Sequence, residues 1–424
     1  MVQDHYHNTT SELLMDYLRP DNENNEPVPD NPLINGRGVR RCADFDGWDC
    51  DDALASNPVL DLTAGQRHRL RLINVGVFAE FQLQIDEHPF YVTEVDGTDV
   101  RPEPFHRLTI SPAQRYSIVL ETNLTARPAY WLRARMVSRC FTVKKPRLEP
   151  ELRAVIRYIS PTTAPLAATH DVASTDWPDA VEVTCRDLNT SSLVPVEPVE
   201  PPPADDFVPL RTNFQIGDWA LARGFFNEST WRPDPTSPSL HRFLDLDAAN
   251  PEHASHLGSS NPAVAVNDKA FTRDRELVLQ TRGIRTVDLA LNNFDDGAHP
   301  FHLHGHKFFV MAQAQSGYPP SSPAALARHM DRHPGPSTPL RRDTVTVEAY
   351  AWVVVRVVLD NPGLWFLHCH NMWHAMAGMA MQLLVRADEV HRWAVDPRHR
   401  AMCHLEGVTR GGRPDDDVWY HDDE

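Results

Sequence analysis

From Arg67 to Arg386 the sequence is cut again and again into β-branched runs too short to be anything but strands. Residues 67–75 (RHRLRLINV), 106–110, 115–122 and 152–159 form one block of such runs, and 276–281, 285–293, 343–348, 352–359 and 379–386 form a second. Several alternate apolar and polar residues with a period of two, the pattern of a strand with one face in a core. Only 10–18 (TSELLMDYL) and 323–330 carry a helical spacing. Many short strands separated by turn residues predict an all-β chain built of β-sandwiches. Thirty-six prolines against 19 glycines fit that loop-rich architecture better than a helical bundle. No stretch approaches the roughly 18 consecutive apolar residues that a membrane-spanning helix needs.

The two blocks are separated by a Pro- and acid-rich segment containing PVEPVEPPPADD, which reads as an extended linker. The expected organisation is a domain over 1–165, a linker over 166–206, a second domain over 207–400 and an acidic tail over 401–424. The blocks also echo each other. His88-Pro-Phe-Tyr-Val92 resembles His306-Lys-Phe-Phe-Val310, and Trp131-Leu-Arg-Ala-Arg135 falls where Phe366-Leu-His-Cys-His370 falls later. In this register Arg133, Ala134 and Arg135 occupy the places of His368, Cys369 and His370, so one domain carries chemistry and its sibling has lost it.

That chemistry lies in His299-Pro-Phe-His-Leu-His-Gly-His306 and in Leu367-His-Cys-His-Asn-Met-Trp-His374, followed by Gly378-Met379. Alternate side chains on a strand share a face. His302 and His304 therefore point one way together, as do His368 and His370, while Cys369 faces the other side. One strand can then serve two metal sites. On the Cys369 side, Cys369, His374 and Met379 follow Cys-x4-His-x4-Met, and His299 offers a second imidazole. Two imidazoles, a thiolate and a long axial thioether make a blue-copper electron-transfer site. The bland alternative is a set of satisfied core histidines beside a buried free cysteine. Seven histidines and one cysteine at these spacings weigh against it.

HPFHLHGHKFFV and HCHNMWHAMAGM resemble the third and fourth copper signatures of the multicopper oxidases, the family of laccases, ferroxidases and ascorbate oxidase. Leu33-Ile-Asn-Gly-Arg-Gly38 and Arg71-Leu-Ile-Asn-Val-Gly76 resemble fungal members. The resemblance runs along essentially the whole chain and implies two cupredoxin-like Greek-key β-sandwiches, equivalent to the second and third domains of the usual three. It implies that His299, Cys369, His374 and Met379 hold a type 1 copper. His302 would serve a type 2 copper, and His304, His368 and His370 a type 3 pair, with residues 1–165 free of copper ligands. In that family the type 1 copper takes electrons from an outside donor, here near His374. The chain from Cys369 to His368 and His370 then conducts them to a trinuclear cluster that reduces dioxygen to water. The family's first domain supplies two further His-x-His pairs. The only other His-x-His here, His5-Tyr-His7, aligns with the opening of the second domain. Met372 also stands where many relatives have an acidic residue.

The expected function is therefore laccase-like oxidation of phenol-like or metal-ion donors with dioxygen as acceptor. Up to four coppers are implied by the complete family site, and one type 1 copper by this chain alone. A non-enzymatic blue-copper electron carrier and a metal-free pseudoenzyme are the alternatives. A net charge of −17, from 41 basic and 58 acidic residues, makes a nucleic-acid partner unfavourable. The sequons at Asn8, Asn123, Asn189 and Asn227 suit a secreted glycoprotein whose leader is lost with a missing N-terminus. Cys42 and Cys50 could bridge, and Cys140, Cys185 and Cys403 could pair in more than one way. His253, His256, His329 and His333 read as solvated loop residues, and Met372, Met376 and Met381 as core packing.

Overall fold

The computed structural model describes the chain except residues 41, 45–48, 50, 147, 161–171, 180, 182–183, 218–219, 233, 235–236, 250–262, 336–337 and 403–424. Cys50, His253, His256, Cys403 and nearly all of the expected tail lie outside the described residues. The chain forms two compact units. Residues 1–8, 26–199 and 344–346 make the first, and 9–25, 200–343 and 347 onward make the second.

The first unit holds a five-stranded sheet in the order Val59–Thr63, Glu151–Ile159, Ala129–Met136, Phe81–Ile85, Arg107–Ile110. A four-stranded sheet follows the order Arg67–Ile73, Arg115–Glu121, Phe90–Val95, Thr98–Phe105. Arg67–Ile73 shows the expected alternation, with Arg67, Arg69 and Arg71 exposed between more sheltered His68, Leu70 and Leu72. Phe81–Ile85 departs from it, because Gln82 and Gln84 are as buried as Phe81, Leu83 and Ile85. Residues 190–196, within the expected linker, belong to this unit: the Arg101 N–H donates to the Val194 carbonyl and the Val196 N–H to that of Asp99.

The second unit repeats the plan. One sheet runs Ala222–Phe226, Asp206–Ile216, Arg285–Asn293, Trp352–Leu359, Phe308–Ala314, Arg341–Arg342. The other contains, in order, Val264–Val266, Val278–Thr281, Ala380–Val385, Gly363–Cys369 and His299–Leu303. Trp352–Leu359 (WVVVRVVL) lies between two neighbours and is buried on both faces, which is why seven of its eight residues are apolar, five of them valine. In each unit a strand joins the sheet parallel to the unit's late strand, Val59–Thr63 beside Glu151–Ile159 and Val278–Thr281 beside Ala380–Val385. Parallel neighbours need a crossover connection, and it recurs at the same place in both sheets.

Helices stand at Thr10–Leu18 and Pro323–Arg332, where the spacing predicts them. Thr10–Leu18 starts with a reciprocal capping box between Thr9 and Glu12. A further helix, Ser239–Ala249, forms where sequence reading expects none. Leu240, Phe243 and Leu244 make its only apolar stripe, and they pack with Trp231, Phe271, Val278 and Leu384, so tertiary burial creates this helix. No helix among the described residues is long and apolar enough to cross a membrane.

Candidate metal centre

Two adjacent antiparallel strands build the site. His299–Leu303 pairs with Gly363–Cys369 so that His302 lies opposite His368 and Phe301 opposite Cys369. The alternation of strand faces then separates the histidines at 302 and 368 from Cys369, as the motif spacing predicts. Beyond Cys369 the chain turns into the short helix Met372–Met376, capped by Asn371, and returns through Gly378. Two backbone bonds close the loop: the Met379 N–H donates to the His374 carbonyl at 2.9 Å, and the Cys369 N–H to the Met379 carbonyl at 3.1 Å. Gly378 adopts a φ of +114°, and a Cβ there would lie 2.0 Å from Thr230 Oγ1 and 2.8 Å from the Gly224 carbonyl. Gly224 is equally constrained, since a Cβ on it would meet Met379 Cβ at 2.9 Å.

The result is a buried triangle of donor atoms. Cys369 Sγ lies 3.7 Å from His299 Nδ1 and 3.6 Å from His374 Nδ1, and the two nitrogens are 2.9 Å apart. His299 and Cys369 have no solvent exposure and His374 has 3%. Among the described residues these three form a group whose ligand atoms all lie within 4.8 Å of one another. Such edges suit one ion about 2.0–2.3 Å from two imidazole nitrogens and a thiolate. Met379 is fully buried, with its backbone tied to both Cys369 and His374.

Electrostatics favour the thiolate form of Cys369. Burial pushes the Cys369 thiol up, but His299 and His374 beside it outweigh burial and bring it down to about 7. Cys369 is also the one free cysteine among the described residues. His299 Nε2 donates to the Asp295 carboxylate at 3.0 Å, which fixes the ring and leaves Nδ1 facing the triangle. Burial raises the Asp295 carboxyl, and the hydrogen bond and charge of His299, with His374 and the Gly297 N–H, together more than offset it, leaving the carboxyl below its ordinary value. The ring of Phe214 packs edge-on to His374 at 4.9 Å between centroids and against His299 at 6.3 Å. The Tyr17 ring meets Trp373 at 6.0 Å, and Arg223 donates to the Leu18 carbonyl, so the helix Thr10–Leu18 packs beside this loop.

On the opposite face four imidazoles gather. The rings of His302 and His304 are 5.0 Å apart, His302 and His368 6.0 Å, His302 and His370 5.8 Å, and His368 and His370 5.3 Å. His304 Nε2 and His368 Nε2 approach to 3.1 Å. His368 Nδ1 donates to the Cys369 carbonyl at 2.9 Å, which frees its Nε2 as a lone-pair donor. Burial, then the neighbouring histidines, lower its pKa to about 3, so it stays neutral. His302 Nδ1 donates to the Asp343 carbonyl at 3.1 Å.

The first unit fills the equivalent place with ions instead. Leu83 lies opposite Ala134 and Gln84 opposite Arg133, the register that Phe301 and His302 keep with Cys369 and His368. Arg133 binds the fully buried Asp86 through Nε at 2.7 Å and Nη2 at 2.8 Å, and reaches Glu151 at 3.0 Å. Arg135 pairs with Glu151 and Asp176.

Sequence reading misses Asp295 and Phe214, because no motif links them to the ligands, and passes over Asn371, which lies within the second motif but is not itself a metal-ligand type. Of the lesser candidates, Cys140 pairs with Cys185. His329 lies at the end of a helix rather than in a loop, its ring 4.7 Å from His333 and 5.2 Å from Trp352. Met381 is fully buried, whereas Met372 and Met376 are half-buried.

Two family models, each described as multicopper oxidase, match residues 1–161 and 233–389, about three quarters of the chain together. Oxidoreductase OpS5 of Beauveria bassiana is 29% identical over 86% of this chain and 55% of its own length. Laccase-1 of Cryptococcus neoformans var. grubii is 26% identical over 91% of this chain and 58% of its own. The crystal structure of Fet3p, a multicopper oxidase that functions in iron import, superposes with a TM-score of 0.71 at 22% identity, over 98% of this chain and 72% of that one. The chain thus spans just over half the length of the curated relatives it matches.

Proposed function

This chain belongs to the multicopper oxidase family, and from that premise we propose that it contributes the electron-accepting half of a laccase-like copper oxidoreductase. Its reaction is one-electron oxidation of a phenol-like or metal-ion donor, four donors per dioxygen reduced to water. The observation that carries this reading is the buried triangle of His299, Cys369 and His374. These three, with the thioether of Met379, would hold a type 1 copper. His302 would bind a type 2 copper, and His304, His368 and His370 the type 3 pair. Copper, when bound, supplies reversible one-electron redox chemistry.

The protein's own residues do the rest. Asp295 orients His299, the carbonyl of Cys369 orients His368, and the packed loop 371–379 excludes water from the thiolate. Cys369 is bonded in the chain to His368 and His370 through single peptide units, so the two faces of the strand are joined by the shortest covalent path a strand allows. Secretion and glycosylation belong to the same reading. The Cys140–Cys185 disulfide suits an oxidising compartment, and Asn8, Asn123 and Asn189 are exposed sequon asparagines.

A one-copper electron carrier is the second reading. The observation favouring it is that His299, Cys369 and His374 by themselves form a closed ligand group. Copper counting, the visible thiolate-to-copper band and oxygen uptake on the purified chain separate the readings. Both readings expect the band and its loss in Cys369→Ser, and oxygen consumption with a phenol or ferrous donor selects the oxidase. The band with one copper and no uptake selects the carrier. No band after copper loading overturns both.

A further inference from the structure

Asn371 stands at the N-cap of the helix Met372–Met376, and its Oδ1 accepts the Trp373 N–H at 3.1 Å. That bond dictates how the carboxamide is turned, because the reverse orientation would set an NH₂ against an N–H. Its Nδ2 is therefore the group that faces His374 Nε2, 3.0 Å away and buried. An NH₂ needs a lone pair opposite it. A neutral imidazole with its lone pair on Nε2 carries its proton on Nδ1.

The same direction runs onward. His374 Nδ1–H donates to His299 Nδ1 at 2.9 Å, and His299 Nε2–H donates to Asp295 at 3.0 Å. The relay Asn371, His374, His299, Asp295 thus runs in one direction, and it places a proton on the His374 nitrogen that points into the triangle, where Cys369 Sγ lies 3.6 Å away.

We propose that Asn371 is a positioning residue that opposes metal uptake by holding His374 in the tautomer with its ligating nitrogen blocked. To ligate, His374 must leave Nδ1 bare and carry its proton on Nε2, where it meets the Asn371 NH₂ donor to donor. Loading the centre therefore requires this contact to reverse, and Asn371 sets how tightly the metal is held. The inference rests on the reading that copper occupies this triangle.

Two substitutions isolate the donor from the cap, since Asp and Ser both cap helices well. Asn371→Asp keeps the capping oxygen and offers His374 an acceptor. Asn371→Ser keeps the cap and withdraws the arm. The natural chain and both variants are loaded with copper alone and titrated with a chelator of known affinity, with the visible band as readout and the thermal midpoint of the metal-free chain as a check on the cap. Asn371→Asp should hold copper about tenfold more tightly than the natural chain, the worth of one hydrogen bond changed from opposing to supporting. Asn371→Ser should fall between the two. Equal or weaker retention in both variants overturns the role of Asn371 while the copper reading stands. Absence of the band in the natural chain overturns the copper reading itself.

Discussion

Asp295 decides how good a ligand His299 can be. Its carboxylate accepts the only proton that a metal-bound His299 would retain, on Nε2, and does so inside the protein, where the side chain of Asp295 is 14% exposed. A charged acceptor there increases electron donation from Nδ1 and fixes the ring plane. Asp295→Ala should weaken copper retention by roughly 10- to 100-fold, the usual cost of removing such a partner, with the fold preserved. Chelator competition followed through the visible band tests it, and unchanged retention would show that strand geometry alone orients the ring. Asp295 was illegible in the sequence for a physical reason. Aspartates are abundant in this acidic chain, and only the folded turn 293–299 brings this one to the imidazole. The ligands themselves were legible because their chemistry is rare and their spacing is set by the two-residue repeat of a strand.

At the scale of elements, the loop 371–379 is what converts a strand into a metal site. Its closure depends on Gly378, whose positive φ and contact with Thr230 and the Gly224 carbonyl leave no room for a Cβ. Gly378→Ala should cost about 2–4 kcal/mol through strain and overpacking together. The displaced Met379 should also alter the visible band of the loaded chain. Denaturant unfolding of the metal-free variant measures the first effect, and a midpoint equal to that of the natural chain would refute it. The strands were readable wherever one face meets a core and the other faces out, as in Arg67–Ile73. They were less readable in Phe81–Ile85, where burial of Gln84 depends on partners far away in sequence: Arg107 Nε and Arg135 Nη1 both donate to Gln84 Oε1. The helix Ser239–Ala249 was missed because its apolar stripe is only three residues and gains its stability from Trp231 and Phe271.

The molecule as a whole carries one sheet plan twice, and the two copies use the equivalent strand positions in opposite ways. Where the second unit gathers imidazoles and a cysteine, the first gathers arginines and carboxylates. The hydrogen bonds from Arg133 to Asp86 lift the guanidinium above its usual range, so it stays charged at any practical pH. Arg133→Met would leave Asp86 buried without its partner, which should cost about 3–5 kcal/mol, measured by denaturant unfolding. A loss under about 1 kcal/mol would mean that the fold can satisfy Asp86 in another way.

The same network makes stability depend on pH with a predictable sign. Burial pushes the Glu151 carboxyl up, but Arg153 and Arg135 outweigh it and hold it below its ordinary 4.5. Asp176 behaves alike, with burial opposed and exceeded by Arg135, below an ordinary 3.8. Carboxyls depressed in the folded state lend stability that is complete above their unfolded values and is lost as pH falls through the folded ones. The Glu151 and Asp176 share of the stability of the metal-free chain, read from its unfolding midpoint, should therefore be complete above about pH 5 and be lost below it. This loss comes on top of the decline that His368, held neutral by burial, imposes as pH falls through its ordinary 6.5. Glu151→Gln should lower the plateau and flatten the decline, because a group that no longer titrates cannot contribute to the slope. A variant whose acid limb is as steep as that of the natural chain would show that carboxylates elsewhere govern the decline, and that the ion network in the first unit is a packing solution without electrostatic consequence.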